Sequence, residues 1–161
     1  MKMTIGGITV SNRKEDFLAT FRAHRKVTND LIALIDEKKL DFAPTDTSMP
    51  VGKLANHILE ATYTFARLAN NQSPAKLFDD DDNTELKSKA STYTQETEKL
   101  IASMSEEDFD KTIDVSDMLG EKLPAEKVLE TGMHHEIHHK GQLFVYVRAM
   151  GHDDLPYYIS L

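Results

Sequence analysis

The sequence predicts an all-α protein built as a four-helix bundle, and three observations carry that prediction. Four segments repeat apolar residues at helical spacing, no stretch alternates convincingly as a strand, and turn formers crowd the connections. With 161 residues and 40% hydrophobic content, the chain suits one domain with one core, spanning 1–161.

The first helix is expected from about Asn12 to Lys39. Phe17, Phe21, His24, Thr28, Leu31 and Ile35 recur at steps of four and three, and Asn12 with Glu15 resembles a capping box. Pro44 and its polar neighbours end it. The second helix starts near Pro50, since proline is tolerated in a first turn, and reaches about Asn70. The polar connection 71–82 contains Pro74 and the run Asp79 to Asp82, and is long enough for a crossover between helices two and three. That acidic run lacks the spaced ligands and glycine of an EF-hand loop, so it reads as a solvated cluster.

The third helix, about Asn83 to Met104, repeats Leu86, Ala90, Tyr93, Thr97, Leu100 and Met104. An irregular piece from Ser105 to Leu123 follows, with a short extended turn around Ile113 to Leu119. The fourth helix opens at Pro124 and ends near Met150, where Gly151 is placed to cap it.

Composition narrows the function. The chain contains no cysteine, which excludes disulfides, thiolate metal sites and a cysteine nucleophile, and fits a cytoplasmic setting. No secretory signal opens the sequence and no apolar run suits a membrane span, so a soluble protein is expected. A formal net charge of −8 argues against nucleic acid as a partner. Arg22, Arg25 and Lys26 are the one local basic group, read as a solvated helix face.

Seven histidines occur, four of them in His134-His135-Glu136-Ile137-His138-His139. Helical residues four apart share a face. His135 and His139 therefore project with Val128, Gly132, Leu143, Tyr146 and Met150, a mainly apolar stripe directed inward. His134 and His138 share a more polar face with Lys127, Glu130, Gly141 and Val145. Two imidazoles at this spacing can chelate one ion. A third is offered by His57, which follows Leu54 and precedes Ala61, Phe65 and Leu68 on the second helix. An imidazole on an apolar stripe is costly unless its nitrogens find partners, and a metal ion supplies one. The candidate ligands of one divalent ion are thus His57, His135 and His139. Zinc and nickel suit three imidazoles best, with iron, copper or manganese as further options.

His24 lies on the first helix's stripe and is placed as an auxiliary group near the same cavity, while His152 is assigned to the surface. Gln142 and Tyr146 continue the histidine face and would either orient a substrate or pack. Leu129, Met133, Phe144 and Val147 form a second apolar strip, available to a twin subunit or a neighbouring helix.

His135-Glu136-Ile137-His138-His139 also satisfies H-E-x-x-H, the metalloprotease signature. Gln142 and Val145 stand where a metzincin needs glycine and histidine, and no glutamate follows Glu136 to serve as a later ligand. Glu136 is expected in a salt bridge on the flank of the histidine face.

The stretch His135-x-x-His138-His139-Lys140-Gly141-Gln142-Leu143, preceded by Leu54-x-x-His57, resembles the DinB/YfiT-like superfamily of metal-dependent enzymes, which includes the DNA-damage-inducible DinB family. Helix lengths, the connection after helix two and the ending Tyr146-Val147-Arg148-Ala149-Met150-Gly151 agree with it. The resemblance implies an up-down-down-up bundle, often a homodimer, with three histidines on a divalent metal. By position these are again His57, His135 and His139. Members commonly carry arginine after the last ligand; Lys140 here keeps the charge but loses the planar fork.

Characterised relatives include transferases and isomerases that use a low-molecular-weight thiol, whose pKa a metal would lower. The expectation is therefore thiol S-transferase chemistry on a small-molecule electrophile. A non-catalytic metal- or ligand-binding bundle, or a dimeric interaction module, is the alternative, and a metal-dependent hydrolase a lesser one.

Overall fold

The structure, a computed structural model, describes residues 12–161 and, before them, the backbone of two short strands, β1 (Met3–Ile5) and β2 (Ile8–Val10). These pair antiparallel. The helix α1 (Arg13–Ala33) follows, with the Asn12 side chain accepting from the Glu15 backbone N–H at 3.2 Å. It stops short of the expected Lys39. Asp36 takes an extended conformation and its carboxylate accepts from Lys38 N, which starts a separate 3-10 turn at Glu37–Lys39. A short acidic side chain competing for backbone donors ends one helix and caps the next.

Helix α2 (Val51–Ala69) buries Val51, Leu54, Ala55, Ile58, Leu59 and Ala66 most deeply. The stripe expected around His57 is thus the flank of the buried face, and His57 itself is half-buried. Helix α3 (Leu86–Ser103) begins later than expected because Asp82 accepts from Thr84 N and Glu37 accepts from Leu86 N. Its buried side, Leu86, Ala90, Tyr93, Thr97 and Ile101, follows the predicted periodicity.

The irregular segment carries more order than its sequence suggests. A 3-10 turn at Glu107–Asp110 leads into β3 (Thr112–Asp114), a one-turn helix α4 (Ser116–Leu119) and β4 (Lys122–Pro124). The two strands pair antiparallel, Ile113 facing Leu123. The molecule is therefore mostly helical with two small strand pairs, rather than all-α. Strands of three residues are too short for a period of two to register in sequence. Phe109, Ile113 and Val115 anchor this segment in the core.

The long helix α5 (Ala125–Ala149) closes the fold, with Gly151 in the left-handed region at φ 103°. One apolar cluster gathers Leu31, Leu54, Ile58, Tyr93, Leu143 and Val147; a second gathers Phe21, Phe65, Ile101, Phe109, Leu129 and Met133. The second strip foreseen on the last helix buries inside this same chain: Leu129, Met133 and Val147 are all at most 3% exposed. After α5 the chain turns back along α1, where Ser160 N donates to Ala23 O at 3.0 Å.

At Gly132, α5 lies directly against Phe65 of α2. A Cβ there would sit 2.6 Å from Phe65 Cβ, inside any real contact distance. Glycine is thus required by the backbone approach itself, and this approach brings His57 within reach of α5.

Candidate metal centre

His57 projects from α2, and His135 and His139 from successive turns of α5. Their Nε2 atoms converge. His135 Nε2 lies 3.1 Å from His57 Nε2 and 3.1 Å from His139 Nε2, and one ring nitrogen from each residue falls within 4.8 Å of the others. The rings meet edge to face, with centroids 4.4–4.8 Å apart. Donors about 2.0–2.1 Å from one zinc ion lie roughly 3.4 Å from each other in a tetrahedron, so the spacing fits a shared ion. Three neutral nitrogen donors without thiolate or carboxylate suit borderline divalent metals.

Electrostatics favours the neutral rings that a metal needs. Burial, then the neighbouring His139, lowers the His57 pKa against a small opposing effect of Glu60. Burial with His139, His57 and His138 nearby pushes His135 down to about 4. His135 Nδ1 is buried and has no hydrogen-bond partner among the described residues. His139 Nδ1 meets Gln142 Oε1 at 2.6 Å. Tyr146 is occupied otherwise, its hydroxyl donating to Met49 O at 2.7 Å. A cleft of about 500 Å³ lies beside His57, which lines it with Met49, Lys53, Asn56, Glu60 and Phe78.

Behind the histidines sits a charged group that sequence reasoning placed wrongly. Arg25, expected on a solvated face, is 1% exposed. Its Nε and Nη2 donate to the two oxygens of Glu136 at 2.8 and 2.7 Å. Thr28 donates to Glu136 Oε1 at 2.9 Å and Thr62 to Oε2 at 2.8 Å. Burial alone would raise the Glu136 pKa, but Arg25 and these donors outweigh it and hold the carboxyl below its ordinary value. The salt bridge expected of Glu136 exists, but at the centre of the molecule and spanning α1, α2 and α5. With both oxygens engaged it is not free to activate water, so H-E-x-x-H is a coincidence of spacing here.

Lys140 is also buried, at 2% exposure, donating to His24 Nδ1 at 2.7 Å and to Tyr158 O at 2.6 Å. His24 therefore belongs to this contact and stands outside the histidine trio. Burial lowers the Lys140 pKa despite Glu136, and burial with Lys140 lowers that of His24. A signal for both charges existed: Glu136 and Lys140 fill the gap between Met133 and Phe144 in the second apolar strip at steps of three and four. His134 and His138 are exposed, as their polar face suggested; His138 lies edge-on to the His139 ring at 4.9 Å. The acidic run is solvated, with Asp80 paired to Lys76. Among the described residues no helix is long and apolar enough to cross a membrane.

Fold and site together define a class: a mostly helical protein that presents three imidazole nitrogens to one point between two helices. The sequence pattern of the DinB family matches residues 9–161, and the chain belongs to that family. It is 38% identical over 148 residues to the uncharacterised protein YjoA of Bacillus subtilis, covering 91% of this chain and 96% of that protein. The crystal structure of that DinB-like protein superposes with a TM-score of 0.82 at 36% identity, over 91% of this chain and 99% of the other. A DinB-like protein of Bacillus cereus shares the fold at TM-score 0.72 and 22% identity, over 89% and 95% of the two chains. A DinB-family protein of Exiguobacterium sibiricum does so at 0.66 and 19%, over 92% and 99%.

Proposed function

We propose that this chain is a metal-dependent enzyme in which His57, His135 and His139 hold one divalent ion, zinc or nickel first and iron or manganese next. The observation that carries the reading is the convergence of three imidazoles, His135 Nε2 standing 3.1 Å from the Nε2 of both His57 and His139, with two of the rings held neutral by burial. A bound divalent ion would supply Lewis acidity, lowering the pKa of a thiol or water that reaches it.

The reaction favoured is thiol S-transfer to a small electrophile. A sulfur–carbon bond forms, the leaving group departs with its electron pair, and the thiol proton passes to solvent. The chain has no cysteine, so the thiol arrives as a low-molecular-weight cosubstrate. The cleft beside His57 is large enough for a small molecule, and Phe78 and Met49 would cover its apolar part while Lys53 and Asn56 meet its polar part. The second reading is a non-catalytic metal-binding bundle. It is favoured by the engagement of both Glu136 oxygens with Arg25, Thr28 and Thr62, which removes the carboxylate next to the ligand His135 as a general base.

The test is metal content by plasma mass spectrometry on untagged protein, beside His57→Ala and His139→Ala. One ion per chain in the wild type, lost in both variants, supports the centre. Turnover with a low-molecular-weight thiol that tracks occupancy supports the enzyme, whereas equal rates in metal-free protein would sink it. Full occupancy with no turnover over a broad electrophile set favours the second reading.

We also read the chain as one domain, its four long helices forming an up-down-down-up bundle with a crossover between α2 and α3. Supporting contacts run His57 to His139 and Phe65 to Gly132 between α2 and α5, Arg22 to Glu98 and Asn29 to Thr94 between α1 and α3, and Asn70 to Leu100 between α2 and α3. A homodimer in the cytoplasm stays in the proposal on family resemblance alone. Sedimentation showing only monomer at micromolar concentration would remove it.

A further inference from the structure

We infer that Gln142 is a positioning residue that sets the tautomer of His139 and so aims its Nε2 lone pair at the other two histidines. Its meaning for metal binding rests on the reading above; its geometry does not.

A neutral imidazole carries one N–H and one lone pair, and which nitrogen holds the proton is decided by the partner of the other. Gln142 Oε1 lies 2.6 Å from His139 Nδ1. A carbonyl oxygen only accepts, so Nδ1 must be the protonated nitrogen. The lone pair then sits on Nε2, the atom that faces His135 Nε2 at 3.1 Å. The opposite tautomer would need the Gln142 amide to turn its NH2 toward Nδ1, and it would leave His139 Nε2 as an N–H with no lone pair to offer a metal ion. Gln142 stands three residues after His139 on α5, so one stretch of helix supplies both the ligand and its support.

His135 provides the internal contrast. Its Nδ1 is buried and has no hydrogen-bond partner among the described residues, so only the His57 and His139 nitrogens 3.1 Å from its Nε2 bear on its tautomer, and a lone pair on His139 Nε2 favours the proton on His135 Nε2 in the metal-free chain. His139 is thus preset for a metal ion, whereas His135 must carry its proton on Nδ1 before its Nε2 can serve as a donor. Groups that orient a metal-bound histidine raise its basicity as a ligand, and removing one typically costs roughly 10–100-fold in metal affinity.

The experiment uses nitrogen-15 NMR of the full metal-free chain to read the imidazole tautomers, and chelator competition to read zinc affinity. Wild type is compared with Gln142→Leu and Gln142→Glu. Gln142 is exposed, so both variants are expected to keep the wild-type Tm without metal. In the wild type His139 should be a single Nδ1–H tautomer and His135 predominantly the Nε2–H one. Gln142→Leu should mix the His139 tautomers and weaken zinc binding roughly 10–100-fold. Gln142→Glu, which keeps an acceptor, should retain the tautomer and bind zinc at least as tightly as wild type. An unchanged His139 tautomer in Gln142→Leu overturns the inference whatever the metal does. Equal losses in the Leu and Glu variants overturn it too. A tautomer shift in protein that takes up no zinc supports the hold of Gln142 on the ring and overturns the metal reading instead.

Discussion

At the scale of single residues the centre of the molecule is electrostatic. Glu136 and Arg25 are both essentially without solvent, and each would be a severe liability alone. Arg25→Ala strips the carboxylate of its cation and should cost about 3–5 kcal/mol in urea unfolding. Replacing the pair together, Arg25→Met with Glu136→Leu, should cost much less, because no charge is then left unpaired. Similar losses for the single and double replacements would show that packing, not pairing, dominates. The His24–Lys140 contact makes a pH prediction. Burial, then Lys140, lowers the His24 pKa below its ordinary 6.5, so the folded chain binds fewer protons there than the unfolded one. Its contribution is therefore complete above about 6.5 and is lost as pH falls toward the lowered folded value. His57 and His135 act in the same direction. Metal-free protein should lose stability on acidification below that point, and His24→Gln should shallow the slope; an unchanged slope would exclude His24 as a contributor. The three convergent histidines were legible because two shared a helical face and one stood beside an apolar run. Arg25 was not, since a charged side chain is assigned to solvent until a buried partner of opposite sign is known to wait for it, whereas Lys140 was signalled only by its place in the second apolar strip.

At the scale of elements, the metal centre depends on how closely α2 and α5 approach. Gly132→Ala would place a methyl carbon on Phe65, where neither the helix backbone nor the ring stem can yield cheaply. We expect about 1–3 kcal/mol of destabilisation from overpacking. A weaker zinc affinity should accompany it, because His57 retreats with α2. Thermal unfolding and chelator competition check both, and a lowered Tm with intact affinity would mean that the histidines are placed independently of this contact. Helix periodicity predicted the four long helices to within a few residues at most ends, because each carries a continuous buried face. It overran at α1, where one aspartate side chain redirected the backbone, and it missed β1 to β4 because three-residue strands leave no pattern to read.

For the whole molecule, the metal reading predicts linkage between occupancy and unfolding. An ion that binds only the folded chain stabilises it by about 2.7 kcal/mol at a free concentration of 100 times Kd. Zinc should therefore raise the Tm of wild type in a concentration-dependent way, chelator should reverse it, and His57→Ala should respond to neither. A Tm insensitive to every divalent ion would argue against an ordered centre. The same architecture has an implication for how the chain matures on the ribosome. The guanidinium of Arg25 leaves the exit tunnel well before its carboxylate, which lies 111 residues further along on α5. Until then the first helix carries a cation with nowhere dry to go, and the strand of chain that ties down its middle, through Ser160 and Ala23, comes later still. Helix α1 is thus synthesised before α5 yet satisfied only by it, and nascent chains stalled before Glu136 should be open to protease along α1 while chains released after Leu161 are not.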